Sequence, residues 1–290
     1  MEKKLIYIDS IPAIIWGKNS SKVYIYVHGK MGNKEEAAFF ADIAEKKGYQ
    51  TISFDLPKHG ERQNRNAPCD IWNGKHDLEC IGKYVYDNWN NISLYACSIG
   101  AYFSLHAYKD KMFEKCLFLS PILDMNYLIQ NMFLWFDVCE SELKEKGEIE
   151  TPIETLSWNY YQFVKNNPVK QWITPTYIMY GYRDTLQSEK VIHQFINKTC
   201  EHFYRNFGLY EKSPNSFLPG LPRSIVNQFR FHNLLCLCLA SVHLPHPFHL
   251  VFGFQPFGHA VLLCQLRHDQ LHSVLCRFVN LGAMLKEPIG

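Results

Sequence analysis

Two short strings hold side chains suited to acyl-transfer chemistry. The first is Ala96-Cys97-Ser98-Ile99-Gly100, which follows the apolar run Ile92 to Tyr95 and opens a helical stretch from Ala101 to Tyr108. A serine between small residues on a sharp strand-to-helix turn tolerates a strained backbone in which bulky neighbours would clash. Its hydroxyl then projects from the sheet edge, and the Ile99 amide faces the same space from a helix N-terminus. Serine also needs a base, and the base needs an acid to orient it. The second string, Pro175 to Asp184, runs strand, glycine turn, carboxylate, and offers Asp184 as that acid. The same position suits a helix N-cap. Asp124, behind the run Lys115 to Leu119, is the second candidate, with capping as its plainer reading.

Acyl transfer also requires donors for a developing oxyanion. Val27-His28-Gly29-Lys30-Met31-Gly32 lies between a buried strand and a helix, where a loop N–H meets the elbow. Lys30 N–H, with Ile99 N–H, is the expected pair, and Met31 is one residue away. His28 and the turn Asp55-Leu56-Pro57-Lys58-His59-Gly60 are expected to brace the loop rather than to react.

These residues need elements to carry them. Strands are expected at Leu5–Ile8, Ala13–Trp16, Lys22–Val27, Thr51–Leu56, Ile92–Ala96, Lys115–Leu119 and Tyr177–Tyr180. Helices are expected at Lys34–Lys47, Asp77–Trp89 and Ser188–Asn197. Buried strands alternating with helices argue for a doubly wound, mostly parallel α/β sheet. Residues 123–172 are aromatic-rich and helical without strand signals, and too long for a plain connection. They are expected to form a cap within a core of residues 1–198.

Composition narrows the function. The 290 residues are 47% hydrophobic and 20% charged, with net charge +2 and no basic cluster, which gives no sign of a nucleic-acid partner. No run approaches the roughly 20 apolar residues of a membrane span, and the opening apolar stretch is short for a signal peptide. The ten cysteines lack framework spacing and suit reduced thiols in a cytoplasmic protein.

In order along the chain, His28-Gly29, Asp55 through His59-Gly60, the Ser98 elbow and Asp184 resemble the α/β-hydrolase superfamily. The resemblance covers about Tyr7 to Lys198 and is to single-domain bacterial serine hydrolases, esterase-like or serine aminopeptidase-like. Ala96 departs from it by standing where the usual pattern has glycine. It implies an eight-stranded, mostly parallel sheet, a Ser–His–acid triad, and hydrolysis of an ester, thioester or amide. A small to medium acyl substrate is the expected partner, esters rank above peptides, and neither cofactor nor metal is implied.

The tail departs from this pattern. Only four of 28 acidic residues lie beyond Lys198, whereas eight of 13 histidines do. Ordinary element lengths place the triad histidine roughly 20 to 30 residues past Asp184, yet Arg205 through Phe231 contain none. His259, after the strand-like Leu250–Phe254, is the preferred base and requires an insertion from about Thr199 to Pro247. An amphipathic stretch is expected to follow it, from Ala260 to Val279. His202 is the runner-up. Residues 199–290 therefore read either as an insertion with a final strand and helix, or as a frame-shifted or chimeric tail. The cluster of Cys236, Cys238 and nearby histidines suits packing better than metal. A hydrolase fold without its base, serving as a binding protein, is the alternative to an enzyme.

Overall fold

The computed structural model describes residues 1–181 and 184–199 and, as strands, 207–212, 250–254 and 260–264. One ten-stranded sheet organises them. An opening hairpin, β1 (Lys3–Ile8) and β2 (Ile11–Trp16), turns through Asp9 and Ser10, both at positive φ. The other strands of the first half are β3 (Lys22–Val27), β4 (Gln50–Phe54), β5 (Asn91–Cys97) and β6 (Cys116–Leu119). A two-residue pair, β7 (Glu148–Ile149) and β8 (Leu156–Ser157), stands apart as a small ribbon. The large sheet continues with β9 (Thr176–Gly181), β10 (Phe207–Lys212), β11 (Leu250–Phe254) and β12 (Ala260–Cys264). Its spatial order is β1-β2-β4-β3-β5-β6-β9-β10-β11-β12, parallel from β4 through β11 and antiparallel at both margins.

Alternation along β3 shows why the sheet is buried on both faces. Val23, Ile25 and Val27 join the core beneath α2 (Ile71–Asn88) and α3 (Ile99–Ala107). Tyr24 and Tyr26 point the other way, with ring centroids 5.0 and 5.6 Å from Phe40 on α1 (Ala37–Glu45). Successive side chains of a strand alternate faces, so an all-apolar strand calls for a helix layer on each side. Two glycines on α2 let α3 approach closely. A Cβ at Gly74 would run into the Phe103 ring, and one at Gly82 would sit 2.8 Å from Tyr108.

Residues 123–172 depart from the sheet between β6 and β9. They contain α4 (Met125–Trp135), α5 (Glu140–Lys146), the β7–β8 ribbon and α6 (Trp158–Asn166). The ribbon was not expected, because strands two residues long carry no periodicity to read. Trp172 closes the excursion, fully buried, its indole N–H donating to Thr176 Oγ1 at 2.7 Å.

The structure differs from expectation at four further points. Helix α2 begins at Ile71, not near Asp77, because the Asp70 side chain caps it by accepting from Asn73 N–H at 2.9 Å. The strand beside β9 is β10, which follows α7 (Glu189–Thr199) within the stretch expected to be an insertion. It pairs with β9 over six residues, a gain supplied by a distant strand and not by local pattern. The sheet accordingly exceeds the eight strands that the resemblance implied, and Ala260–Cys264 is a strand paired with β11.

Candidate active site

Ser98 occupies the single residue between β5 and α3, with φ 51° and ψ −120°. A non-glycine residue there stores on the order of 1–3 kcal/mol of strain and persists only where its surroundings hold it. Here they do. Ser98 N–H donates to Leu119 O at 3.0 Å, and Ser98 O accepts from Ala101 N–H and Ile122 N–H, each at 3.1 Å. The flanking small residues permit the approach. A Cβ at Gly100 would collide with the His28 carbonyl oxygen and lie 2.8 Å from Val27 Cγ1. One at Gly29 would stand 3.2 Å from Ser98 Cβ and 3.3 Å from Cys97 Sγ. Ala96 is fully buried in β5, so its methyl fits where glycine was the usual choice.

The loop after β3 is fastened by two histidines, each using both ring nitrogens. His28 Nδ1–H donates to Gly29 O at 2.7 Å, and Nε2 accepts from Leu56 N–H at 3.0 Å. His59 Nδ1–H donates to Pro57 O at 2.8 Å, and Nε2 accepts from Met31 N–H at 3.0 Å. Burial lowers the His28 imidazole to about 4, which keeps its Nε2 lone pair free for Leu56. Beneath them Asp55, fully buried, accepts from Lys34 N–H and Lys34 Nζ, each at 2.8 Å, and from Glu61 N–H at 3.0 Å. Met31 N–H is thus engaged, as is Gly32 N–H, which donates to Gly29 O at 3.1 Å. Lys30 N–H has no acceptor among the described residues. Ile99 is the first residue of α3, where an amide lacks an intrahelical acceptor.

The Lys30 side chain leaves the loop for the ribbon tip. Its Nζ donates to Ile153 O at 2.7 Å and to Glu154 Oε2 at 2.6 Å. The tip is a turn in which Thr151 Oγ1 accepts from Ile153 N–H at 3.3 Å and from Glu154 N–H at 3.1 Å.

Asp184 follows β9 at the same sheet edge. Its Oδ1 accepts from Leu186 N–H at 2.9 Å and Gln187 N–H at 3.2 Å. It is not the N-cap of α7, which starts five residues later at Glu189. Asp124 is a cap: its side chain accepts from Tyr127 N–H at the start of α4. Sequence reasoning missed Gln187, 1% exposed. Its Oε1 accepts from Leu123 N–H at 3.0 Å and Asp124 N–H at 2.8 Å, and its Nε2 donates to Asp124 O at 3.0 Å. This amide joins the Asp184 turn to the exit of β6. Glutamine carries no local signal for such a role.

The two candidate bases, His259 and His202, lie outside the described residues, as do the cysteines and histidines weighed for metal. The five described histidines are all committed elsewhere. His28 and His59 brace the loop, and His106 is packed against Tyr102 and Phe163 with its pKa lowered to about 4 by burial. His76 and His193 sit on α2 and α7 beside Cys80 and Glu189. No group of three or more metal-ligating side chains occurs among the described residues, and no described helix is long and apolar enough to cross a membrane.

No family model matches the sequence, and no curated protein does. Solved structures do match. Mouse alpha/beta hydrolase domain-containing protein 10 superposes with a TM-score of 0.64 at 13% identity, covering 83% of this chain and 98% of that one. Est1E from Butyrivibrio proteoclasticus with bound ferulic acid gives 0.55 at 15% identity, over 82% and 99% of the chains. A soluble variant of Saccharomyces cerevisiae monoglyceride lipase with a substrate analog gives 0.56 at 14%, over 83% and 94%. With the strand order, the strained serine between β5 and α3 and the carboxylate behind β9, these likenesses make one conclusion: the chain has the α/β-hydrolase fold.

Proposed function

We propose that the protein is a serine hydrolase of carboxylic esters, with thioesters as a second substrate class. The observation that carries this reading is Ser98, held at positive φ on the turn between a strand and a helix. Ser98 Oγ attacks the ester carbonyl as a histidine takes its proton. Lys30 N–H and Ile99 N–H receive the oxyanion of the tetrahedral intermediate. The histidine returns the proton to the leaving alcohol, and water then hydrolyses the acyl-enzyme by the same route. Asp184, with Oδ1 fixed by two backbone amides, presents its other oxygen to orient the histidine. Residues 123–172 serve as a cap, and a small to medium acyl group lies beneath it.

His259 is the preferred base. The end of β11 is four strand spacings from β5, on the order of 19 Å, which is the span that this assignment has to bridge. His232, the first histidine after β10, joins it as a candidate from the observed strand order. The second reading, a hydrolase fold that binds ligand without turnover, is favoured by the same stretch: no histidine occurs between Lys212 and Phe231. The five described cysteines are unpaired, which suits a reducing compartment such as the cytoplasm.

A fluorophosphonate probe decides between the two. Labelling of wild type that disappears in Ser98→Ala supports the enzyme, and its loss in one of His259→Ala, His232→Ala or His202→Ala identifies the base. A folded wild type that takes no label supports the binding protein.

A further inference from the structure

The Lys30 side chain performs a task separate from its backbone amide. Its ammonium reaches out of the loop and meets two acceptors at one point on the ribbon, the Ile153 carbonyl and the Glu154 carboxylate. The ribbon tip is internally tied by Thr151, so it arrives there as a preformed unit. Two exposed apolar side chains flank the junction. Met31, next to Lys30, is 88% exposed, and Ile153 is 50% exposed. The loop side of this junction is fixed from below by His59 and Met31 N–H. A chain of direct contacts therefore runs from the Asp55 cluster, through the loop, to the tip of the insertion.

Resting on the esterase reading above, we propose that Lys30 is a positioning residue. Its side chain latches the ribbon to the loop and holds Met31 and Ile153 as an apolar lip that receives the longer hydrocarbon part of an ester. The backbone N–H of Lys30 serves the reacting carbonyl, and the ammonium sets how well the site accepts long chains. The chemistry favours an uncharged, aliphatic substrate portion at the lip, since the Lys30 ammonium is engaged by its two acceptors. Both partners are substantially exposed, at 43% and 56%. An exposed pair of this kind is screened by salt and supports only a modest effect, between about 1.5-fold and fivefold.

The test uses the full chain and two esters, para-nitrophenyl acetate and para-nitrophenyl octanoate. Lys30→Met keeps the backbone amide and the length of the side chain but removes the latch. It is expected to raise KM for the octanoate about threefold. Glu154→Leu, which leaves both oxyanion-hole residues in place, is expected to raise the octanoate KM equally while kcat for the acetate stays within a factor of two, and Lys30→Met with Glu154→Leu to add nothing further. The exchanged pair, Lys30→Glu with Glu154→Lys, is expected to restore most of the octanoate KM. Raising salt should weaken octanoate binding by wild type and leave Lys30→Met unmoved. Additive single effects, or an equal loss on both esters, would overturn the proposal. Amide exchange at Ile153 and Glu154 reads the latch without turnover. Faster exchange in Lys30→Met supports it even should wild type hydrolyse neither ester, and unchanged exchange refutes it.

Discussion

Acid should loosen the loop that carries Lys30, and His28 is the reason. Its imidazole is fully buried, donates through Nδ1 to Gly29 O, and accepts through Nε2 from Leu56 N–H. Burial away from water, with His59 beside it, keeps the native ring neutral down to about 4, against 6.5 for a free imidazole. Between those values the unfolded chain binds a proton that the native chain refuses. Stability therefore falls as pH drops from about 6.5 to about 4, and the contribution is fully present above that window. Linkage puts the loss from one such histidine at about 2 kcal/mol between pH 7 and pH 5. His106, lowered to about 4 as well, adds a similar loss of its own. Urea unfolding at the two pH values, in wild type and His28→Gln, isolates the His28 share. The variant should be less stable at pH 7 because Leu56 N–H and Gly29 O lose a matched partner, yet its pH dependence should be smaller by about 2 kcal/mol. An unchanged pH dependence in His28→Gln, or a ring that titrates near 6.5 by NMR, would refute the reasoning.

Other outcomes follow from packing and hydrogen bonding. Gly100→Val drives a side chain into the His28 carbonyl and the Val27 methyl, and should cost about 3 kcal/mol by urea midpoint together with loss of probe labelling. Gln187→Leu leaves Leu123 N–H and Asp124 N–H buried without an acceptor; a loss of about 3 kcal/mol is expected, and a loss below 1 kcal/mol would show that the clamp is dispensable. Tyr102 Oη is buried with no hydrogen-bond partner among the described residues, so Tyr102→Phe should be neutral or stabilising by up to about 1 kcal/mol in thermal unfolding.

What the sequence made legible is what local chemistry encodes. Val23 to Val27 had to be a doubly buried strand, and Ser98 between small residues had to be a turn. The Pro175–Asp184 string announced a strand and a carboxylate, and they stand where expected. The rest depends on partners far away in the chain. Phe207–Lys212 has a glycine and two charges in six residues, and pairing with β9 and β11 makes it a strand. Gln187 and the Lys30 side chain are polar surface types until tertiary structure places acceptors and donors around them, 63 or more residues distant. Asp70 was missed as a cap because Ile71 and Trp72 behind it, followed by a glycine, broke the expected periodicity.

The excursion of residues 123–172 leaves one strand and returns to its immediate neighbour, with Trp172 sealing the seam. Because the two strands are parallel, any replacement must still cross from one edge of the sheet to the other, which takes a crossover of about a dozen or more residues. The segment is therefore free to vary only at its exposed positions, because Met125, Ile129, Met132, Tyr161 and Trp172 belong to the same core as the strands. A library confined to those exposed positions would change the surface that this segment presents with little penalty in stability, whereas one that touched its buried side chains would unpick the core of the sheet.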